Sequence, residues 1–276
     1  GEEGAREIGS SVMMAIPFVR KVPGIKAFHG SPHDFDEFSM DQIGTGEGAQ
    51  AYGHGLYFAE DVGVAKGYQP RSFEAEELML GRYKAAEGAE DYIEMEAWER
   101  AMMHETPAEI RMAAAEMPPE YKKAFNKVAD ELDTFPREGS LTQVDIDASP
   151  DELLDWDTPL KEQAIAEQAF QQIALDEVRR LDDPLLNDLF TSPENMTYDH
   201  LGPLFPTSKG GQAYNTFSET NAAGGRENLS SKLLEKGIKG IRYKDGFSRG
   251  ADGGTSNYVI FDDRLISIAK KYGIAI

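Results

Sequence analysis

The sequence predicts an α+β fold, with strands near both ends of the chain and helices inserted between them. Short apolar runs bounded by turn residues predict strands near 25–29 ("IKAFH") and in the C-terminal segments "GIRY" and "NYVIFD". Between them, residues 84–134 space their apolar side chains by three and four, as helices with one buried face do. This arrangement favours an antiparallel sheet that carries helical insertions.

The composition is that of a globular chain without disulfides. The 276 residues are 40 % hydrophobic and include no cysteine, which excludes disulfides, thiolate metal ligands and a cysteine nucleophile. This usage fits a reducing compartment, and we expect a cytoplasmic protein. No apolar run approaches the roughly 18 residues that cross a membrane, so no membrane partner is predicted.

The net charge of −21 is concentrated in the middle of the chain. Residues 72–200 hold 32 acidic and 11 basic side chains, whereas the rest of the chain is balanced. This charge repels phosphate backbones and is typical of a solvated helical region, or of a surface that docks a basic partner. Residues 201–276 carry 11 bases against 7 acids, which leaves a nucleic-acid target open at that end.

The first part of the chain combines short strands with flexible loops. Residues 1–23 are predicted to form a short helix or tail, and residues 34–55 a glycine-rich loop. The aromatic run "GLYFA" (55–59) is predicted to be a strand, and "DVGVAKGYQ" (61–69) one or two helical turns.

Helices are predicted to fill most of the remainder. Ser149 and Glu152 have the spacing of a capping box, which predicts that a helix begins at Pro150. The other predicted elements are a strand over 141–147 and helices over 160–181 and 228–237. We therefore expect one domain over 24–276, with helical insertions at about 84–134 and 150–208.

Several common site motifs are excluded. The glycines of 44–55 precede a strand rather than a helix, so they form neither a dinucleotide-binding loop nor a Walker loop. No G-x-S-x-G nucleophile turn occurs. His29, His33 and His54 lack a fourth ligand at a convincing spacing, so no metal site is predicted.

The segment His29-Gly30-Ser31 follows a predicted strand, where a glycine lets another molecule approach the main chain. Adjacent main-chain N–H and C=O groups match the needs of a primary carboxamide. Two aromatic rings further along, Tyr57 and Tyr68, can enclose a flat heteroaromatic ring. In combination these groups suit nicotinamide and its ribose.

These residues resemble the motifs of ADP-ribosyltransferases of the diphtheria-toxin and poly(ADP-ribose)-polymerase branch. In that branch one strand ends in His-Gly-Ser/Thr, a later strand carries Gly-x-Tyr-Phe-Ala, and a second tyrosine follows eleven residues on. The matching positions are 29–31, 55–59 and Tyr68, while "NYVIFD" matches a C-terminal strand that usually opens with Glu. Over about 25–276 the chain is also similar to ADP-ribosyltransferase-like domains of phage and mobile-element polyvalent proteins.

The resemblance implies a split antiparallel sheet and NAD as a substrate. It implies that His29 bonds the adenosine-side ribose, that the main chain of Gly30 holds the carboxamide, and that Tyr57 and Tyr68 stack on nicotinamide. The implied NAD-binding residues are His29, Gly30, Ser31, Tyr57, Phe58, Ala59, Tyr68 and Asn257, and the implied catalytic residues are His29, Tyr57 and Asn257.

Two positions depart from the family pattern. Ala65 stands where the family often has a serine that bonds the carboxamide, and Gln50 or a water would replace that contact. Asn257 stands at the usual Glu position and has no charge with which to stabilise the cation that forms when a glycosidic bond breaks. Glu47, Glu60 or a carboxylate of the target would have to supply it.

The expected activity is that of a mono-ADP-ribosyltransferase. It would modify a macromolecule, a protein in preference to a nucleic acid, in a bacterial cytoplasm to which a phage or mobile element delivers it. Phe247 and Arg249 are predicted to contact the target. The alternatives are an NAD glycohydrolase, a module that binds NAD or ADP-ribose without chemistry, and an interaction protein that docks a basic partner.

Overall fold

The computed structural model of the chain has a seven-stranded sheet at its centre. It describes residues 24–44, 50–103, 105–181, 209–220, 223–245 and 254–272, so the predicted tail over 1–23 lies outside the described residues. The strands are β1 (Ile25–Ser31), β2 (Leu56–Ala59), β3 (Ser140–Ile146), β4 (Leu153–Asp155), β5 (Gly240–Lys244), β6 (Ser256–Ile260) and β7 (Ile266–Tyr272).

The strand order is β4-β5-β6-β2-β1-β3-β7. Every neighbouring pair is antiparallel except β4 with β5, which is parallel. The predicted mixed α+β class with a mostly antiparallel sheet is therefore confirmed. The strands of the three predicted motifs are neighbours in this order, with β2 between β1 and β6.

Pairing in the middle of the sheet is uneven. Each residue of β1 has a register partner on β3, whereas β1 and β2 share only the pair of Phe28 with Ala59. Residues 29–31 of β1 and 56–58 of β2 have no register partners across this junction, and we call this stretch the β1–β2 gap.

Eight helices are present in the described part of the chain, in addition to short 3-10 turns. They are α1 (Val62–Gly67), α2 (Phe73–Gly88), α3 (Tyr92–Met102), α4 (Pro107–Ala115), α5 (Pro119–Leu132), α6 (Ala164–Leu181), α7 (Gly210–Ser218) and α8 (Arg226–Glu235). Local chemistry sets their starts: Asp61 accepts bonds from the first-turn N–H groups of α1, and Thr106 forms a capping box with Glu109 before α4.

The two faces of the sheet are covered by different elements. On one face, which we call the front face, Tyr57, Ile241 and Val259 pack with helices α6–α8. On the other, the back face, Phe58 and Tyr258 pack in a second cluster that includes a phenylalanine from the loop after β1. Because strand side chains alternate, each strand residue is assigned to one face.

Helices α2–α5 pack around a core of their own. Trp98 and Phe125 are fully buried in this cluster, together with Ile110 and Leu132. At 25 cal/mol per Å², one large buried aromatic side chain stabilises such a cluster by roughly 2–3 kcal/mol. Part of the acidic excess, 15 acidic against 7 basic side chains over 73–132, therefore lies on a folded helical unit.

Several predicted boundaries were wrong. The helical region begins at Phe73, after the cap at Ser72, rather than at residue 84. The apolar residues of this first helix do not repeat on one face, so hydrophobic spacing did not predict it. The capping box at Ser149 forms as predicted, but it opens a 3-10 turn, and the next apolar residues pair with β5 as strand β4. Helix α7 and strand β7 were not predicted.

Gly30 fixes how closely α1 approaches β1. A Cβ atom built there would lie 2.0 Å from the carbonyl oxygen of Ala65, a main-chain atom that cannot move aside. We expect Gly30→Ala to lower the free energy of unfolding by roughly 1–3 kcal/mol through overpacking, measured by urea denaturation. The control is Gly81→Ala in α2, where nothing lies within 4 Å of the new Cβ; it should be neutral or stabilising by up to about 1 kcal/mol. Equal effects of the two substitutions would contradict this packing.

Candidate functional site

The central strands place three of the motif positions side by side on the front face. Asn257, the second residue of β6, lies opposite Ala59 on β2 and opposite Tyr243 on β5. Tyr57 lies two residues from Ala59 on the same strand and therefore has its side chain on the same face. The phenols of Tyr57 and Tyr243 are thus on either side of the Asn257 amide.

Tyr57 is held by the turn that precedes it. Its hydroxyl donates to the carbonyl of Gly53 at 2.8 Å and accepts from the N–H of Tyr52 at 3.2 Å. Gly53 has φ +141°, and a Cβ atom at this position would lie 2.7 Å from Ile241, so only glycine fits. Burial of the Tyr57 phenol raises its pKa to about 12, so the hydroxyl is neutral at physiological pH.

Tyr68 ends helix α1 and is 63 % exposed. Burial raises the pKa of its phenol, and the charges of Glu109, Tyr52 and Asp245 raise it further. The pKa of Tyr243 is raised first by burial and then by the phenols of Tyr68 and Tyr57. Tyr57 and Tyr68 therefore lie on the same side of the sheet.

The side chain of Asn257 is buried and has a polar atom without a hydrogen-bond partner among the described residues. The residue is 7 % exposed, and its Oδ1 is the buried side-chain oxygen or nitrogen that has no hydrogen-bond partner in the described part of the chain. The Asn257 side chain also lowers the pKa of the Tyr243 phenol, so the amide lies beside that ring. A buried acceptor without a donor is costly, so Oδ1 is suited to receive a donor from a ligand.

His29 lies on the back face, where its ring contacts Phe35, Phe38 and Phe58. Its Nδ1 lies 2.8 Å from the carbonyl oxygen of Tyr57, across the β1–β2 gap. A carbonyl only accepts, so Nδ1 carries the proton and Nε2 is left as an acceptor. Burial lowers the pKa of His29, which keeps the ring neutral at physiological pH.

The pairing pattern determines where the main chain of Gly30 points. The N–H of Glu60 donates to the carbonyl of Ser256 at 2.9 Å, so even-numbered β2 residues bond to β6. Odd-numbered β2 residues therefore face β1, where Ala59 pairs with Phe28. Because alternate residues face the same neighbour, the N–H and C=O of Gly30 also point toward β2, into the β1–β2 gap.

The remaining motif residues have structural contacts. The hydroxyl of Ser31 accepts from the N–H of His33 at 3.1 Å, which stabilises the turn after β1. Phe58 is buried on the back face, and Ala59 is buried on the front face in a small cluster with Ala65. Ala65, which stands where a serine was expected from the resemblance, lies against Gly30 and has no hydroxyl group.

A cleft of about 380 Å³ opens beside Tyr68, between α1, helices α4–α5 and the end of β5. Asp245 and Thr255 line it from the sheet, and the Thr255 hydroxyl donates to Asp245 at 2.9 Å. Sequence reasoning missed Asp245 and Tyr243. The alternation of Ile241, Tyr243 and Asp245 along one strand was the signal that would have grouped them.

A second tyrosine that sequence reasoning missed is Tyr52. Its ring stacks on Tyr243 with centroids 3.7 Å apart and an angle of 10° between the planes. No periodicity marks a loop residue of this kind. The stack fixes the Tyr243 ring beside Asn257.

Not every candidate residue takes part in this arrangement. Phe247, Arg249 and Glu47 lie outside the described residues. The carboxylate of Glu60 accepts from the N–H of Ser256 at 2.8 Å and raises the pKa of Tyr258 on the back face, so it is directed away from Asn257. The side chain of Gln50 lies beside Gly44 rather than at Gly30.

Comparison with protein-family models, with curated proteins and with solved structures finds no match. Among the described residues, no group of three or more histidine, cysteine or acidic side chains is placed to hold a metal ion. No helix in the described ranges has the length and apolar character needed to span a bilayer. The functional assignment therefore depends on the geometry alone.

The buried neutral His29 makes stability depend on pH. Its pKa is lowered in the folded state relative to about 6.5 in the unfolded chain, so the unfolded chain binds more protons as the pH falls below 6.5. We expect the free energy of unfolding to decrease between pH 7 and pH 5. In His29→Gln, whose amide can still donate to Tyr57, this part of the pH dependence should be absent. Urea denaturation at pH 7.5, 6.5 and 5.5 measures the difference, and identical slopes for both proteins would contradict the placement of His29.

Proposed function

We propose that this chain is an NAD-dependent mono-ADP-ribosyltransferase, which transfers ADP-ribose to a macromolecule and releases nicotinamide. The observation that carries the proposal is the buried, unpartnered Oδ1 of Asn257, on the same face as the phenols of Tyr57 and Tyr68. Such an acceptor can receive a hydrogen bond from a ribose hydroxyl, while aromatic rings on the same face stack on the flat base that the ribose carries.

Nicotinamide has a binding position between the two phenols. The exposed ring of Tyr68 offers one stacking surface and Tyr57 the other. The N–H and C=O of Gly30 point into the β1–β2 gap, where they can bond the carboxamide oxygen and nitrogen. Both groups have fixed positions in the free protein, so little ordering is needed on binding.

The pairing of the sheet supports a split-sheet core. Only Phe28 and Ala59 join β1 to β2, whereas β1 and β3 pair along the whole strand. A dinucleotide can therefore lie across the β1–β2 gap, with nicotinamide on the front face. The adenosine-side ribose would then reach Nε2 of His29, which accepts from a ribose hydroxyl on the back face.

The proposed reaction breaks the bond between C1′ of the ribose and the pyridinium nitrogen. The bonding electron pair goes to that nitrogen, nicotinamide leaves as a neutral molecule, and positive charge develops on the ribose. Oδ1 of Asn257 accepts from the ribose 2′-hydroxyl and orients the sugar. The nucleophile of the target then donates an electron pair to C1′ and loses its proton to solvent.

The neutral amide at position 257 limits this chemistry. A charged hydrogen bond is roughly twice as strong as a neutral one. Without a carboxylate at Asn257 we expect cleavage slower by about 10²–10³, the usual effect of a lost electrostatic stabiliser. Transfer of a single ADP-ribose unit is therefore proposed rather than chain elongation, and a protein acceptor fits the acidic chain better than a nucleic acid does.

The same amide favours a second candidate function, an NAD-binding module or NAD glycohydrolase. A neutral acceptor can hold a ribose hydroxyl without stabilising the cation. In a glycohydrolase, water takes the place of the target nucleophile. Isotope-labelled NAD distinguishes the three cases: label on a lysate protein shows transfer, free ADP-ribose shows hydrolysis, and binding without nicotinamide release shows a binding module.

Removing one stacking ring tests the proposed binding mode. Stacking of one aromatic side chain on a base contributes roughly 1–3 kcal/mol, so Tyr68→Ala should weaken NAD binding by about 5- to 150-fold in calorimetry. Tyr68 is exposed, so the variant should keep the stability of the wild-type protein.

The matched control is Tyr92→Ala, since Tyr92 begins α3 and is 71 % exposed, away from the sheet. It should leave NAD affinity unchanged. If both substitutions have the same effect on affinity, or if the wild-type protein does not bind NAD, the proposed function is wrong.

A further inference from the structure

Asp245 occupies a special position at the end of β5. It follows the last strand residue, and its N–H donates to the carbonyl of Thr255 at 3.2 Å, which continues the pairing of β5 with β6. It lies two residues beyond Tyr243 and therefore has its side chain on the front face. The residue is 2 % exposed, although its side chain is acidic.

The distance from Asp245 to the proposed ribose position is short. Tyr243 lies opposite Asn257, and two residues along a strand span about 6.8 Å. Asp245 therefore lies on the neighbouring strand, two residues beyond the partner of Asn257. It also lines the cleft that opens at Tyr68.

We propose that Asp245 supplies the negative charge that Asn257 lacks, and that it stabilises the positive charge that develops on the ribose during cleavage. This inference rests on the proposed function. Asp245 acts here through its field rather than by contact with the sugar. At about 8 Å and an effective dielectric constant of about 20, one charge changes the rate by ~10- to 30-fold.

The other carboxylates that line the cleft belong to the helices and their caps. Asp61 caps α1, Glu109 belongs to the capping box of α4, and Asp133 forms an ion pair with Arg111. Glu60 is directed to the back face. Among the described residues that line this cleft, Asp245 is the carboxylate provided by the sheet itself, next to Asn257.

The charge of Asp245 acts on groups of the proposed slot. The pKa of Tyr68 is raised by burial, then by Glu109 and Tyr52, and also by Asp245. The Thr255 hydroxyl, which donates to the Asp245 carboxylate, orients it toward the end of β6. The Thr255 hydrogen bond and the alternation from Tyr243 place the carboxylate on the side of the sheet where Tyr57 and Asn257 lie.

Asp245→Asn tests this role because it removes the charge and retains the size of the side chain. We expect nicotinamide release from the full chain to slow by ~10- to 30-fold, with NAD affinity in calorimetry unchanged within about twofold. Asp245→Glu, which keeps the charge, should stay within about threefold of the wild type. Asp245→Thr replaces the asparagine variant if that variant does not fold, with the same expected loss.

The matched control removes a carboxylate at the other end of β6. Asp262 is largely buried and forms an ion pair with Arg264 at 2.6 Å, so Asp262→Asn should leave the release rate unchanged. The Asp245→Asn substitution is also made in the variant Asn257→Glu, which has a carboxylate at position 257. There the effect of Asp245→Asn should shrink below about threefold, which a merely structural role of Asp245 would not produce.

The outcomes separate the two proposals. If the wild-type chain releases nicotinamide and Asp245→Asn releases it equally fast, the role of Asp245 is wrong and the proposed function stands. If neither the wild type nor Asn257→Glu binds NAD, the proposed function is wrong. A wild-type chain that binds NAD and never releases nicotinamide overturns the role of Asp245 and leaves only the binding module.

Discussion

The hydrogen bond from Nδ1 of His29 to the carbonyl of Tyr57 is the interaction on which the proposed site depends. Main-chain pairing between β1 and β2 stops at Phe28 and Ala59, and this side-chain bond joins the strands beyond that point. It holds the imidazole in one tautomer and leaves Nε2 as an acceptor. It also fixes the main chain of Tyr57 opposite Gly30, so the two sides of the β1–β2 gap keep their separation.

The front face complements this bond with groups that are held in place by the protein. The turn at Gly53 binds the Tyr57 hydroxyl, and Tyr52 stacks on Tyr243 beside Asn257. Other polar groups of the region have partners, whereas Oδ1 of Asn257 has none among the described residues. Under the proposed function, a ribose hydroxyl that donates to this buried acceptor would recover its cost and so stabilise the strands on binding.

Hydrophobic spacing and motif order predicted most of the strands and the sequence positions of the candidate site. They could not predict which face each side chain occupies, because faces depend on the register of strands distant in sequence. For example, His29 and Tyr57 lie on opposite faces. Asp245 lies near Asn257 only because its main chain pairs with Thr255. Strand β4 was predicted as helix, since a capping box specifies a turn but not the type of element after that turn.

A crystal structure of the wild-type chain with NAD tests the central claim most directly. The account predicts the pyridine ring between Tyr57 and Tyr68, its carboxamide on the main chain of Gly30, and a ribose hydroxyl within hydrogen-bond distance of Oδ1 of Asn257. Nicotinamide bound elsewhere, or a β1–β2 gap that stays empty at saturating NAD, would contradict it.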